Sequence, residues 1–221
     1  MRHFEEELDG LRRALLEMSG LVESAIYHSV LSLVRGDEKQ AQDVLENESR
    51  INQMQIEIDD KAVLLLALEQ PVAKDLRFIT AAIKLNSDLE RMGDEAVNIV
   101  ERSLLLMHEP QVTAAIDIPY MGNLVESMVR KALDSFVKRD ADVAREVLVS
   151  DDKVDDLWDA ISQELVSYMQ NHPDSVPQCV HLIFVAHNLE RIADHATNIA
   201  EDVIYLAEGV DVRHHAETRE Q

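Results

Sequence analysis

The chain has 221 residues, of which 46% are hydrophobic, enough for a packed core in one large domain or two small ones. Its 21 basic and 43 acidic residues give a formal net charge of -22, so nucleic acid would be repelled over most of the surface and is not an expected partner. Glycine, proline and aromatic residues are scarce, which argues against a sheet-rich fold and predicts an all-α protein.

The sequence predicts a cytoplasmic protein. The single cysteine, Cys179, cannot form an intramolecular disulfide, and no charged-then-apolar signal peptide opens the chain. The longest uninterrupted apolar run, residues 62–68, is far shorter than the ~20 residues that a membrane-spanning helix needs. Any contact with a membrane is therefore expected to be peripheral, through partner proteins.

Six long helices are predicted from apolar residues that recur at steps of three and four. The first run starts near Phe4, and Gly36 followed by Asp37 combines a helix-ending glycine with a capping aspartate for the next helix. The predicted helices cover residues 3–35, 37–69, 72–108, 113–138, 140–171 and 174–208.

The helical pattern occurs twice. The segment DLERMGDEAVNIVE, residues 88–101, recurs as NLERIADHATNIAE, residues 188–201, and residues 34–37 match residues 137–140. This repeat predicts two tandem, pseudo-symmetric three-helix bundles that arose by duplication of a whole unit. The predicted boundaries are residues 1–109 for the first bundle, 110–209 for the second, and 210–221 for a polar C-terminal tail that includes His214 and His215.

On the third helix of each repeat, carboxylates share a face with apolar residues. At about 100° per residue, Glu90 and Asp94 project on the same narrow face as Ile79. The second copy repeats this order 100 positions later, at Glu190 and Asp194. The predicted faces therefore place acids at positions that normally pack, or on their immediate rim.

The second helix of each repeat offers further acids at a spacing of four. Glu48 and Asn52 lie on one face, and their counterparts 103 positions later are Asp151 and Asp155. If the second and third helices are antiparallel neighbours and these faces meet, at least three carboxylates converge. At neutral pH such groups repel or take up protons unless a cation offsets their charge, so the pattern predicts metal sites.

Two other interpretations of these acids stay open. The acids could line a solvated groove and pair with Arg91 or Arg191, as in a purely structural scaffold. A metal-dependent enzyme of the carboxylate-bundle class would need Glu-x-x-His pairs, and no histidine here has a glutamate three residues before it. No nucleophile with a plausible base is found, so no catalytic residue is predicted.

A few other residues near the second acidic face have open roles. His187 lies one turn before Glu190 and could be a ligand, but its counterpart in the first repeat is Ser87, which favours a surface or satisfied histidine. His195, about 140° away from Glu190 around the helix, is not expected to reach the same site. Trp158 replaces Gln55 of the first copy and either seals the second site or simply packs.

The sequence resembles a known family. PVAKDLRFITAAIKLNSDLERMGDEAVNI, residues 71–99, is similar to the most characteristic segment of PhoU, the phosphate transport system regulatory proteins, and NLERIADHATNIAEDVIY, residues 188–205, resembles its second copy. The resemblance implies a cytoplasmic, non-enzymatic protein, commonly a homodimer, that acts as a negative regulator of the phosphate-starvation response. It would couple the ATPase subunit of the high-affinity phosphate ABC transporter to a sensor histidine kinase.

The resemblance also implies metal clusters on E/D-x-x-x-D motifs, with iron, zinc, manganese or magnesium as the candidate ions. Asn52 departs from the motif in the first repeat, and the register of the motif that begins at Asp151 has an alternative one residue later. The implied ligands are Glu48, Glu90, Asp94, Asp151, Asp155, Glu190 and Asp194, with Asn52, Asn98, Glu101, Asp152, Asp156, Asn198 and Glu201 as further candidates.

Overall fold

The computed structural model describes residues 2–212, with side chains from residue 4, and this part of the chain forms six α-helices and no strand, as predicted. Residues 213–221, and with them His214, His215 and most of the predicted tail, lie outside the described residues. No helix in the described part combines the length and the apolar content needed to span a bilayer. The helices are α1 (Arg2–Arg35), α2 (Glu38–Glu69), α3 (Lys74–Leu106), α4 (Ile118–Lys138), α5 (Ala141–Asn171) and α6 (Val176–Glu208), with a 3₁₀ turn at Pro173–Ser175.

The start of α4 is the one helix boundary that the sequence misplaced by more than two residues. α4 was predicted from residue 113 but begins at Ile118, where the Asp117 side chain accepts a hydrogen bond from the Tyr120 backbone N–H. Val112 and Ile116 continue the helical spacing, which explains the error, but they pack against the core from a non-helical linker. The linker covers residues 107–117 and contains the predicted bundle boundary at 109/110.

The turns that join the first two helices of each repeat have the same backbone conformation. Gly36 ends α1 with φ 62°, and the side chain of Asp37 accepts a hydrogen bond from Lys39 N. In the second repeat Arg139 takes the same left-handed conformation, with φ 54°, and Asp140 caps α5. Residues 34–37 and 137–140 therefore form the same turn. In the second repeat the left-handed position is taken by Arg139, and this conformation costs a non-glycine residue about 1–2 kcal/mol.

The carboxylates lie at the rim of the helix faces and not among the core residues. On α3 the fully buried row runs through Leu89, Met92 and Ala96, one to two positions away from the acidic row. Glu90 is half-buried and Asp94 is exposed. The sequence predicted these acids either at packing positions or at the rim of the packing face, and the structure places them at the rim.

The two bundles join through equivalent helices. α1 packs against α4, where Gly122 lies directly against Val30. α3 packs against α6 with opposite chain direction: Lys84 pairs with Asp202, whereas Glu95, further along α3, pairs with Arg191, which lies earlier in α6. A pseudo-twofold axis therefore relates the repeats.

Candidate functional site

The acidic faces of α5 and α6 meet in the second repeat and bring four predicted ligands together. Burial, together with the negative charges of Asp155, Asp194, Asp152 and Glu190, raises the pKa of Asp151 to about 7. These are the effects expected of a partly desolvated carboxylate among like charges. We call the group Asp151, Asp155, Glu190 and Asp194 the α5–α6 acidic cluster.

The other members of the cluster feel the same repulsion. Burial raises the pKa of Asp155, and the charges of Asp194 and Asp152 add to this effect. Burial also raises the pKa of Glu190, together with the charge of Asp194, although His187 acts in the opposite direction. The cluster is therefore short of positive charge.

Two oxygens of the cluster are buried without a hydrogen-bond partner, Asp151 Oδ1 and Glu190 Oε2. The Nδ1 atom of His187 lies 3.2 Å from Glu190 Oε2, so this imidazole is the nearest group that can offset the charge of Glu190. Buried carboxylate oxygens normally accept hydrogen bonds or bind cations, and ionised carboxylates cannot satisfy one another. The donor set fits a hard or borderline metal ion.

No group of three or more histidine, cysteine, aspartate or glutamate side chains between residues 4 and 212 is arranged so that it could hold a metal ion as it stands. Asp155 and Asp194 are exposed and free to change rotamer, whereas Asp151 and Glu190 are held by partial burial. Metal binding at the α5–α6 acidic cluster would therefore draw the two exposed carboxylates towards the two half-buried ones.

Trp158 and His187 form the edge of this cluster. Their ring centroids are 5.4 Å apart, and the imidazole of His187 lies between the indole and Glu190. His187 is thus a partnered, half-exposed histidine beside the cluster, which agrees with the second of the two predicted roles. The contact places Trp158 beside His187 and, through it, near Glu190.

The first repeat has a weaker version of the site. Burial raises the pKa of Glu90, as does the charge of Asp94, whereas Arg91 and His195 lower it. Burial, followed by the charge of Glu95, raises the pKa of Asp94. The strongest of these electrostatic effects come from α3 and α6, not from the neighbouring α2.

Glu48 and Asn52 provide the α2 side of the first repeat. Both are half-buried, and Asn52 Oδ1 has no hydrogen-bond partner, like Asp151 Oδ1 in the second repeat. Gly93 of α3 lies against Ile51, so α2 and α3 approach closely at this level. An amide oxygen is a neutral and weaker metal ligand than the carboxylate of Asp155.

The further candidate ligands fall into three groups. Asn98 donates a hydrogen bond to Glu95 Oε2, and Asn198 donates one to Asp88 Oδ1, so both amides are directed into the contact between α3 and α6. Glu101 is exposed on α3, and Glu201 is half-buried on α6. Asp152 and Asp156 are exposed and contribute negative charge at the border of the α5–α6 acidic cluster.

Sequence reasoning missed the polar interface between the repeats. Glu95 is buried, and its Oε1 lies 2.7 Å from Arg191 Nε. The buried His195 is bonded through Nδ1 to Asp88 Oδ1 at 2.9 Å, so His195 faces α3 and not Glu190, as predicted. One difference between the two copies pointed to this interface: position 95 is a glutamate in the first copy, and its counterpart, position 195, is a histidine in the second.

Replacing Glu95 with alanine is expected to lower the free energy of unfolding by about 1–2 kcal/mol. The substitution removes the ion pair with Arg191 and the bond from Asn98 at a buried position between the two bundles. Arg191 stays half-exposed and can be solvated, which limits the loss. Urea unfolding measures the effect, and Glu101→Ala, at an exposed position on the same helix, should change the value by less than about 0.5 kcal/mol. Equal effects of the two substitutions would contradict the role of Glu95.

Comparison with known proteins identifies the family. The PhoU domain matches residues 15–103 and again residues 118–203, so each three-helix bundle is one copy of the domain. The chain belongs to the PhoU family. Cys179, the single cysteine, is fully buried in α6, within the second of these matches.

Individual members of the PhoU family match over almost the whole chain. A Pseudomonas putida protein named phosphate-specific transport system accessory protein PhoU homolog is 42% identical over 214 residues, which is 96% of this chain and 84% of that protein. The crystal structure of PhoU from Pseudomonas aeruginosa has a TM-score of 0.91 at 41% identity and covers 94% of this chain and 100% of its own. The structure of the phosphate transport system regulatory protein PhoU from Streptococcus pneumoniae has a TM-score of 0.87 at 32% identity, with 95% and 99% coverage.

Proposed function

We propose that this protein is a cytoplasmic, non-enzymatic regulator of phosphate-specific transport that keeps the phosphate-starvation response repressed when phosphate is plentiful. It acts as an adaptor between the ATPase subunit of the phosphate ABC transporter and a sensor histidine kinase, as a homodimer. One observation carries the proposal: similarity to PhoU accessory and regulatory proteins extends over both repeats and nearly the full chain.

An exposed apolar patch at the end of α2 suits such an adaptor. Leu64 and Leu68, one turn apart, are 57% and 74% exposed, and Val72 in the following turn is 75% exposed. Large apolar side chains that cluster on the surface usually mark a contact with another protein. Ala73, next to Val72, has φ 43°, a conformation that is costly for alanine and typical of functional turns.

The proposal includes metal binding at the α5–α6 acidic cluster. Asp151, Asp155, Glu190 and Asp194 would hold a divalent or trivalent ion such as iron, zinc, manganese or magnesium. The ion would offset the negative charge and clamp α5 to α6, contributing order and not chemistry. The buried Asp151 Oδ1, which has no hydrogen-bond partner, supports this assignment.

The alternatives make different predictions. A metal-dependent enzyme would show turnover that is lost when Asp151 or Glu190 is replaced, whereas a purely structural scaffold would leave metal content and stability unchanged in those variants. The names of the relatives describe accessory and regulatory proteins, which favours the adaptor.

Asn52→Asp is expected to increase the metal content of the first repeat. The substitution gives α2 the carboxylate that Asp155 provides in α5, four residues from Glu48 on the helix that packs against α3. Metal bound per chain, measured by mass spectrometry after dialysis against Mn²⁺, should rise by up to one ion. The reciprocal variant, Asp155→Asn, should lower the value. Unchanged metal content in both variants would overturn the proposed ligand sets.

The regulatory role is tested by deleting the gene. We expect a phosphate-responsive reporter to be expressed in high phosphate in the deletion strain and to be repressed again when the wild-type chain is supplied. Normal repression in the deletion strain would remove the proposed function, whatever the metal content of the protein.

A further inference from the structure

A cavity of about 440 Å³ opens at one end of the joint between the two bundles, far from the acidic faces. Three helices form its walls, and most of the lining side chains are apolar. This volume lies in the ~300–1,000 Å³ range of sites that take small ligands or peptide side chains. The lining residues from α1 are Arg12, Leu15, Leu16 and Ser19, those from α3 are Phe78 and Leu85, and the α4 side contributes Leu133, Phe136, Val137 and Arg139.

Two arginines flank one aromatic ring of this cavity. The guanidinium carbon of Arg12 lies 4.8 Å from the ring centroid of Phe78, and that of Arg139 lies 5.6 Å from it. The pairing of two cations on one ring stands out in a chain with a net charge of -22. Arg12 also pairs with Asp9 at 2.7 Å, which offsets part of its charge. The cavity therefore combines an apolar floor with an entrance that carries two guanidinium groups, to which an anionic group can bind.

Arg139 occupies its place at a cost. Its φ of 54° is the left-handed conformation, and the equivalent position in the first repeat is Gly36. A glycine would make the same turn with less strain. Non-glycine residues in this conformation are concentrated at functional sites, so the side chain of Arg139 has a role that the turn itself does not require.

The pseudo-twofold axis maps this cavity onto the place where the linker between the bundles lies. The equivalent cavity, about 470 Å³, is lined by the C-terminal end of α1 and the start of α4, and linker residues form one of its walls. Residues on the α1 and α4 sides of the first cavity have counterparts at the second cavity, 103 positions away in the sequence, whereas α3 and α6 correspond at 100 positions. The pairs of lining residues are Leu15 with Ile118, Leu16 with Pro119, Phe136 with Leu33, Val137 with Val34, and Arg139 with Gly36. Phe78 corresponds in the repeat to Gln178 of α6.

The linker shows what kind of chain segment this place accepts. Gln178, the counterpart of Phe78, donates a hydrogen bond through Nε2 to Glu109 Oε2 at 3.2 Å. Beyond that carboxylate the linker runs on without helical structure, and Val112 and Ile116 pack against the core. A carboxylate is thus held beside this cavity, and apolar side chains that follow it in sequence line the cavity wall.

We propose that the cavity between Phe78, Arg12 and Arg139 binds an extended segment of a partner protein, in which a carboxylate precedes two or more apolar side chains. Arg12 and Arg139 would bind the carboxylate, and Leu16, Val137 and the neighbouring apolar residues would receive the side chains that follow. The inference deepens the proposed adaptor function and rests on it, because it assigns one partner contact to a defined place.

The test uses purified full-length protein and phage-displayed random 12-residue peptides. Selection on the wild-type chain is followed by counter-selection on Val137→Trp, in which a large side chain fills the cavity from a position that is 54% exposed. We expect the selected peptides to share an aspartate or glutamate that precedes apolar residues. Failure here leaves the regulatory phenotype of the deletion strain untouched, so the inference and the proposed function can fail separately.

Affinity measurements on the consensus peptide complete the test. In fluorescence anisotropy, Arg139→Gly should weaken binding about tenfold, since it removes one charge-assisted contact while glycine suits the turn. Arg12→Ala should have a similar effect, and a peptide with the acid replaced by its amide should bind equally weakly to all variants. Peptides that lack an acid, or affinities that are unchanged by Arg139→Gly, would overturn the inference. A copurified anionic lipid in native mass spectra, or a change of oligomeric state in Val137→Trp, would instead assign the cavity to a lipid or to a second copy of the chain.

Discussion

Asp151→Asn is expected to raise the free energy of unfolding of the metal-free protein at pH 8 by about 1–2 kcal/mol. Burial and like charges raise the pKa of Asp151 to about 7, above the ~3.9 of an unfolded chain. The folded state therefore binds this proton more tightly, so the favourable contribution is complete below the unfolded pKa and is lost as pH rises through about 7. The difference between the folded and unfolded pKa values corresponds to about 4 kcal/mol. Because Asp151 is half-exposed, solvent screens its interactions and reduces the expected effect to about 1–2 kcal/mol.

The measurement is urea unfolding of chelator-treated protein between pH 4 and pH 8. The variant should gain stability relative to wild type as pH rises, with little difference near pH 4. Saturating Mn²⁺ at 100 times Kd should stabilise wild type by about 2.7 kcal/mol and the variant by much less. Glu48→Gln is the matched control, because its neighbour is the neutral Asn52 and not a carboxylate. A variant with the pH profile and metal response of wild type would contradict the convergence of the α5–α6 acidic cluster.

Gly122→Ala is expected to lower the free energy of unfolding by about 1–3 kcal/mol. A Cβ atom at Gly122 would lie 2.8 Å from Cγ1 and 3.0 Å from Cγ2 of Val30, closer than side chains pack. Val30 is β-branched and has few alternative rotamers, so α1 and α4 would have to move apart. This contact belongs to one of the two helix pairs that join the bundles, α1 with α4, so the substitution would weaken that pair while α3 and α6 stay in contact.

Gly20→Ala provides the control for this prediction. Gly20 lies in α1 at an exposed position, and a Cβ there meets no atom within 4 Å. Alanine is the better helix former, so this variant should gain up to about 1 kcal/mol. Thermal and urea unfolding of the two variants should therefore move in opposite directions. Parallel changes would mean that helix propensity, and not the approach of α1 to α4, determines the result.

Helix number and type were predictable because apolar spacing and turn residues are local features. Gly36 and Asp37 mark the end of one helix and the start of the next, and the structure places both as the pattern indicates. The start of α4 was not predictable in the same way. Val112 and Ile116 have helical spacing, but they pack as a non-helical linker in a groove that exists only after the bundles have joined.

The sequence was sufficient to predict which acidic residues face each other within one bundle. It was not sufficient to predict the contacts between the two bundles. Helical geometry alone brought Asp151 and Glu190 onto facing surfaces, because consecutive antiparallel helices must pack against each other. The contacts of Glu95 with Arg191 and of His195 with Asp88 depend on which helices of the two repeats meet. Which helices meet depends on the shapes of both folded bundles, and these shapes cannot be derived from any single segment of the sequence.

The central claim is that a regulator of phosphate transport depends on the α5–α6 acidic cluster. The most direct test is phosphate-responsive reporter expression in a deletion strain that carries Glu190→Ala/Asp194→Ala at wild-type abundance. A control variant, Glu46→Ala/Glu57→Ala, makes the same change of net charge at exposed positions of α2. We predict that the control restores repression in high phosphate and that the cluster variant leaves the reporter expressed. Full repression by the cluster variant would contradict the account.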